Sequence, residues 1–206
     1  PTNLSLSAEF RLYGENGQQL GSTFTRNFVG YDFQAFNPFG AAGVAYPSAS
    51  HDQAYLIVQV VSGSGMLVGF GSTVNNNSND PASHLARQYQ GDLENSPSNY
   101  LIVPECTWAQ AYSGGIWATA VQIIDVSGGS TVSAYFSCGD GTRRGPFVVW
   151  NNSGGAGRCF QVTNFLQYLS TLDSGFNYYG KVGAVEFVTQ DASHKIQVTS
   201  RTFNGN

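Results

Sequence analysis

The stretch Tyr55–Pro81, YLIVQVVSGSGMLVGFGSTVNNNSNDP, decides the fold. Two apolar runs flank a Ser-Gly-Ser-Gly turn, and an Asn-rich segment follows, which is the pattern of a β-hairpin. A second stretch with the same layout, Ala184–Gly205 (AVEFVTQDASHKIQVTSRTFNG), lies 129 positions later. A hairpin that occurs twice predicts a repeated β structure.

Two further blocks of the chain match in the same order. Leu6–Gly21 matches Val132–Gly145, and Gly30–Phe39 matches Gly157–Leu166, at offsets of 126 and 127 positions. Apolar and polar residues alternate along the first of these blocks, which is the period of a strand with one buried face. Three blocks in one order predict a tandem duplication, and chance similarity between Gly-rich β sequences is the alternative.

The duplication predicts an all-β chain of two tandem antiparallel β-sandwich repeats, immunoglobulin-like or jelly-roll-like. Residues 1–82 form the first repeat, 83–99 a polar linker and 100–206 the second repeat. One short helix is predicted near 163–172, where apolar residues fall on one stripe, with Thr163 as its cap. The matching segment of the first repeat contains Pro38, which predicts a loop.

The first repeat is predicted to lack its leading strands. The second repeat begins with Tyr100–Val126, which holds two strand candidates that have no counterpart in the first. The incomplete sheet should expose unpaired backbone groups and an apolar groove. One face of the returning hairpin strand is polar in the second repeat but carries Met66, Val68 and Phe70 in the first. We expect these residues to be covered by the other repeat or by a partner, either another copy of the chain or a companion chain.

The composition excludes several classes of partner. Charged residues make up 11% of the chain, less than half the usual share, while the hydrophobic content of 41% supports a folded core. With a net charge of −4 and two lysines, the chain has no basic face for nucleic acid or anionic lipid. No apolar run reaches the roughly 18 residues that a membrane span needs.

The three cysteines and one Asn-rich loop are candidates for cross-links and metal ligands. An odd number of cysteines excludes complete pairing within one chain. Cys138 and Cys159 flank a segment that could return on itself, so either a disulfide joins them or, with Cys106, all three are buried thiols. Asn75 and Asp80 could bind calcium, although a plain β-turn is the alternative because one carboxylate makes a poor site. No other cofactor is expected.

No catalytic motif is recognisable, which predicts a non-catalytic protein. Metalloprotease, nucleophile-elbow and phosphate-loop patterns are absent from the sequence, and Asp173-Ser174-Gly175 is interpreted as a helix-end turn. A hydrolase whose Asp and Glu residues meet from different loops stays open. Exposed aromatic rings could instead stack on a glycan. Trp108, with Tyr112 nearby, is the candidate, whereas Trp117 is predicted to lie in the core.

The two halves resemble a class of tandem β-sandwich modules found in large secreted or surface proteins of environmental bacteria. In that class one half ends in a Ser-Arg-Thr-aromatic-Asn phrase, here Ser200–Asn204, and the other in an Asn-Asn-x-Ser-x-Asp-Pro phrase, here Asn75–Pro81. The resemblance implies an extracellular or cell-surface location and a structural or adhesive role. A subunit completed by strand donation is the leading expectation, followed by a carbohydrate-binding module and then a hydrolase.

Overall fold

The computed structural model is mostly β, with antiparallel sheets, as the sequence predicts. It describes residues 4–45, 54–75, 80–85, 97–112 and 114–205. Within these ranges the strands and helices follow in the order β1 (Leu6–Gly14), β2 (Gln19–Phe28), α1 (Pro38–Ala41), β3 (Ala54–Gly63), β4 (Phe70–Asn75), β5 (Asp80–Leu85), β6 (Tyr100–Gln110), β7 (Ile116–Asp125), β8 (Thr131–Cys138), β9 (Arg143–Asn151), β10 (Arg158–Val162), α2 (Phe165–Leu172), β11 (Lys181–Thr189) and β12 (Ile196–Gly205).

The chain divides into two compact units, Pro1–Phe70 and Gly71–Asn206. This division lies ahead of the boundary expected after residue 82. Strands β4 and β5 pair with each other, and β5 contacts β12, so the β4–β5 hairpin belongs largely to the second unit. Residues 86–96 of the expected linker lie outside the described ranges.

The first unit is a three-stranded antiparallel sheet in the order β2-β1-β3. Its central strand β1 buries every second residue, which confirms the alternation seen in the sequence. The Phe10 ring stacks on Phe24 at 5.1 Å between centroids and meets Phe36 edge-on at 5.2 Å. The buried positions of β1 that form this core are Leu6, Ala8, Phe10 and Leu12.

A short helix, α1, replaces the loop predicted in the first unit. Pro38 occupies its first turn, where a missing N–H costs nothing and the fixed φ of proline suits the helix. The Asn37 side chain accepts a hydrogen bond from the Phe39 N–H at 3.0 Å and caps the helix. The prediction was wrong because a proline interrupts the interior of a helix but not its beginning.

The helix predicted near 163–172 is present as α2 (Phe165–Leu172). Its cap is Asn164 instead of Thr163, because the Asn164 side chain accepts from the Gln167 N–H at 3.1 Å. Phe165, Leu166 and Leu169 form its buried stripe. The helix ends at Leu172 with Asp173 as its C-cap, which confirms the interpretation of Asp173-Ser174-Gly175 as a helix-end turn.

The strands of the second unit from β6 onward form a seven-stranded sheet in the order β10-β7-β6-β11-β8-β9, with β12 also paired to β7. Strands β6 and β7 pair only near their hairpin end, over 108–110 and 116–118. Farther along, β7 pairs with β10 and β6 pairs with β11. The core is formed by α2 and most of these strands, and its fully buried members include Val121, Ile123, Phe136, Leu166, Tyr178, Val185, Phe187 and Ile196.

A buried carboxylate, Asp125, ties together the loops that follow β7 and β9. It accepts hydrogen bonds from the Ser130 N–H (2.8 Å) and hydroxyl (2.7 Å), from the Gly128 N–H (2.8 Å) and from Asn152 Nδ2 (2.6 Å). Burial acts to raise the pKa of Asp125, but these hydrogen bonds outweigh burial and hold the pKa below its ordinary value. The ionised carboxylate is therefore a structural element of the second unit.

Replacing Asp125 with alanine should destabilise the second unit by about 3 kcal/mol, because several buried donors lose their acceptor. Urea unfolding followed by tryptophan fluorescence isolates this unit, since Trp108, Trp117 and Trp150 all lie within it. Asp191→Ala is the matched control, because Asp191 is exposed and accepts hydrogen bonds within its own turn. Equal losses for the two variants would contradict the structural role of Asp125.

Candidate interaction site

Strand β3 is an outer strand of the first-unit sheet within the part of the chain that the structure describes. One side pairs with β1 along the whole of Ala54–Gly63, and no described strand pairs with the other side. All seven residues from 57 to 63 are exposed. Four of them are aliphatic, with exposed fractions of 42% for Ile57, 38% for Val58, 43% for Val60 and 50% for Val61.

The register of β3 places two of these valines on the core face of the sheet. Val58 lies opposite Phe10, and Val60 lies opposite Ala8. Phe10 and Ala8 are themselves buried, with 4% and 0% exposure. The core of the first unit therefore covers the central strand and reaches Ala54 and Leu56 of β3, but it leaves Val58 and Val60 open.

Strand β11 occupies the corresponding place in the second unit, where the order β9-β8-β11 repeats the order β2-β1-β3. Val185 lies opposite Phe136, and Phe187 lies opposite Ala134. Both Val185 and Phe187 are completely buried. By these partners Val58 corresponds to Val185, an offset of 127 positions, whereas the sequence match for this strand has an offset of 129.

The two strands differ in their neighbours. Strand β11 lies between β8 and β6, so both of its sides are paired. Strand β3 has β1 on one side only among the described strands. Positions that are buried in the second unit are consequently open in the first.

On the opposite face of the first-unit sheet, polar and aromatic side chains contact one another near β3. Arg11 donates hydrogen bonds to Glu9 at 2.6 Å and to Gln59 at 2.8 Å. The hydrogen bond to Glu9 is the main cause that raises the pKa of Arg11. Tyr13 and Tyr55 stack on each other at 5.3 Å between centroids. Ile57 lies on this face opposite Arg11, whereas Val58 and Val60 lie on the core face, so β3 has exposed aliphatic side chains on both faces.

Strand β3 has a register shift against β1 at Val61, but it lacks the charged residues and prolines that usually protect the outermost strand of a sheet. Its sequence, AYLIVQVVSG, contains no charged residue and no proline. Strand β9, which ends the strand order of the second unit, carries Arg143, Arg144 and Pro146. Full burial of an aliphatic side chain is worth about 1.5–3 kcal/mol, so each half-exposed side chain of β3 leaves roughly 1 kcal/mol unrealised.

The predicted interface residues follow β3 directly. Met66 and Val68 are 66% and 63% exposed, while Leu67 between them packs against the first-unit core. Phe70 begins β4, and its side chain lies outside the described residues. The covering of this face by a partner stays a prediction.

The structure does not bring Cys138 and Cys159 together. No disulfide is formed by these two residues or by Cys106. Cys138 ends β8 and pairs with Gly183 of β11, whereas Cys159 lies in β10 and pairs with Ile124 of β7. Strand β9 runs back along β8, but the chain then crosses to β10, which pairs with β7, so the two cysteines lie on strands that are not neighbours.

The calcium prediction falls on the hairpin between β4 and β5. Asn75 ends β4 and Asp80 begins β5. The residues between them, and both side chains, lie outside the described residues. Within the described part of the chain, no group of three or more His, Cys, Asp or Glu residues is placed to hold a metal ion.

The tryptophans differ from expectation in their exposure. Trp117, predicted to lie in the core, is 43% exposed. Trp108 is partly buried against the second-unit core and meets Tyr179 edge-on at 5.2 Å. Tyr112 is fully exposed in the hairpin turn. Trp108 and Trp117 point to opposite faces, because Trp108 pairs with Ala118 and Trp117 with Ala109.

Asp173, the acidic residue of the Asp173-Ser174-Gly175 motif, has a structural role. Arg144 holds it through two hydrogen bonds, of 2.8 and 2.9 Å, and the Tyr178 hydroxyl donates a third at 3.1 Å. Burial acts to raise the pKa of Asp173, but the bonds from Arg144 and Tyr178 outweigh burial and lower it. An ionised carboxylate held in this way is not poised to donate or accept a proton in catalysis.

Comparisons with protein-family models, with curated proteins and with solved structures gave no match. None of the described helices is long and apolar enough to cross a membrane. The geometry of the chain itself is therefore the basis for a functional proposal.

Thiol chemistry offers a direct test of the cysteine environments. Burial, with a smaller effect from Glu105, raises the pKa of Cys106 to about 12, so this thiol should not react with iodoacetamide at pH 8 in the folded protein. In urea without reductant, all three cysteines should be alkylated, as intact mass would show. Alkylation of a single cysteine under those conditions would mean that a disulfide has formed.

Proposed function

We propose that the chain is a non-catalytic extracellular β module with a structural or adhesive role, which assembles through the open side of β3. The observation that carries this proposal is the contrast between equivalent strands. Val58 and Val60 are about 40% exposed, whereas Val185 and Phe187 are fully buried at the same places on β11. Strand β3 has the composition of a central strand but lies at the end of the described strand order.

The proposal includes a tandem duplication of β-sandwich repeats. The shared strand order β2-β1-β3 and β9-β8-β11, with a helix before the third strand of each, supports the duplication. The change of partners along β6 and β7 supports two layers, one built from β9-β8-β11-β6 and the other from β10-β7-β12. On this interpretation, the first unit is a repeat without counterparts of β6 and β7.

Addition of a strand is the physical means of assembly that fits this surface. Backbone N–H and C=O groups on the outer side of β3 would gain partners, and Val58 and Val60 would gain an apolar neighbour. The absence of charge and proline from β3 favours pairing, and Val58 to Val60 lie before the register shift at Val61. The low charge of the chain and its resemblance to secreted tandem modules support an extracellular setting.

Placing positive charge on the open strand should block assembly. In the absence of another partner, the wild-type chain should self-associate through β3 with increasing concentration, and Val58→Lys/Val60→Lys should weaken this association about tenfold or more, because lysine cannot be buried unpaired. Sedimentation velocity over a concentration series measures the effect.

The matched control is Ser22→Lys, which adds a lysine to β2, the outer strand on the other side of the same sheet. It should leave self-association unchanged. The proposal fails if the wild-type chain stays monomeric at all concentrations and binds no strand, or if both lysine variants associate like wild type.

Carbohydrate binding is a second candidate, favoured by the exposed aromatic side chains at the β6–β7 hairpin. Tyr112 is fully exposed, Trp117 is 43% exposed and Tyr179 is 39% exposed. The Tyr179 hydroxyl donates a hydrogen bond to Gln110 at 3.2 Å, so a fixed amide lies beside one of the rings. Aromatic faces and fixed polar groups of this kind can bind a sugar.

Glycan binding should depend on Tyr112 and Trp117. Tyr112→Ala and Trp117→Ala should each lower binding on a glycan array about tenfold, because each removes an exposed ring. Trp108→Ala is a less specific variant, since Trp108 also packs against the core. Phe203→Ala, which alters an aromatic residue of the neighbouring strand β12, is the control. Absence of any glycan signal from the wild-type chain would exclude this function.

A further inference from the structure

We propose that the segment which completes the first unit has the residue pattern of β6 and is donated antiparallel to β3 by another polypeptide. This inference rests on the proposed function and adds the register and chemistry of the partner. Its basis is β11, whose second side is filled within this chain by β6 (Tyr100–Gln110). The pairing of β6 with β11 is therefore the template for the strand pairing that we propose on β3.

The pairing of β6 with β11 defines the register of the donated strand. Val103 lies opposite Val185, and Leu101 lies opposite Phe187. On β3 these two places belong to Val58 and Val60, as the partners on the central strand show. The donated strand therefore places one large apolar residue opposite Val58 and another opposite Val60, two positions apart.

Side-chain size separates this donor from a second copy of β3. In the second unit, Leu101 faces Phe187, whereas in the first unit the donor residue faces the smaller Val60. A larger residue is needed opposite Val60 to reach the packing density of a protein interior. Leucine or an aromatic residue fills this space better than the valines of another β3 strand.

The residue between the two apolar positions faces the polar side of the sheet. On β11 this place is Glu186, which lies opposite Ile102 and accepts hydrogen bonds from Arg143 and from the Tyr100 hydroxyl, each at 3.0 Å. On β3 it is Gln59, a neutral residue that already accepts from Arg11 at 2.8 Å. The donor therefore needs no charged residue here, and an uncharged segment such as Tyr100–Val103 suits the site.

The test uses the full chain and a synthetic peptide of residues 100–110, with Cys106→Ser and lysines appended at its C-terminus for solubility. Photo-crosslinking amino acids replace Leu101 or Val103 of the peptide. The crosslinker at position 103 should label the chain at Val58, and the one at position 101 should label it at Val60. Hydrogen exchange of residues 57–63 should slow about tenfold or more on binding.

The control peptide carries Leu101→Lys and Val103→Lys and should neither crosslink nor protect β3. The chain variant Val58→Lys/Val60→Lys should lose the crosslinks, while unchanged hydrogen exchange in β1 shows that its first unit is folded. Crosslinks confined to the second unit, or in the reverse order along β3, overturn the inference. If the peptide does not bind but the chain self-associates through β3, the partner is a second copy, and the inference fails while the proposed function stands. If neither occurs, both fail.

Discussion

The outermost strand of an antiparallel sheet has backbone donors and acceptors on one side that must bond to water or to another chain. The aliphatic side chains of such a strand cannot be fully buried unless a further layer or strand covers them. Strand β3 combines both conditions over residues 57–63. Its composition suits a central position, yet among the described strands only β1 pairs with it, and its aliphatic side chains are exposed on both of its faces.

In the second unit, strand β11 holds the corresponding place in the strand order and has a neighbour on each side. Strand β6 pairs with β11 over the stretch that carries Val185 and Phe187, and α2 packs over the core formed there. The loops around this core are fixed by polar groups that have many partners, Asp125 on one side and the Arg144–Asp173 pair on another. Burying a carboxylate is favourable only when hydrogen bonds replace water, and both carboxylates meet this condition.

The features that the sequence predicted well are those with a regular period. Alternation along β1 and the apolar stripe of α2 each follow from local backbone geometry, so both can be predicted from the sequence without knowledge of the tertiary structure. The network around Asp125 could not be predicted, because Asn152 joins it from a distant part of the chain. Part of the network has a local sequence signal. The short Gly- and Ser-rich turn Ser127–Ser130 follows Asp125 closely, which places several N–H groups within reach of its carboxylate.

Register was the hardest feature to obtain from sequence, and it determines the candidate site. A shift of two residues keeps every side chain of a strand on the same face, so alternation does not distinguish the two alignments. The sequence comparison aligned Val58 with Phe187, whereas the partners Phe10 and Phe136 align Val58 with Val185. With this register, Ala8 and Ala134 lie opposite Val60 and Phe187. A small residue on the central strand opposite a larger one is the common feature of the two units, and it defines the space that the proposed donated strand would fill.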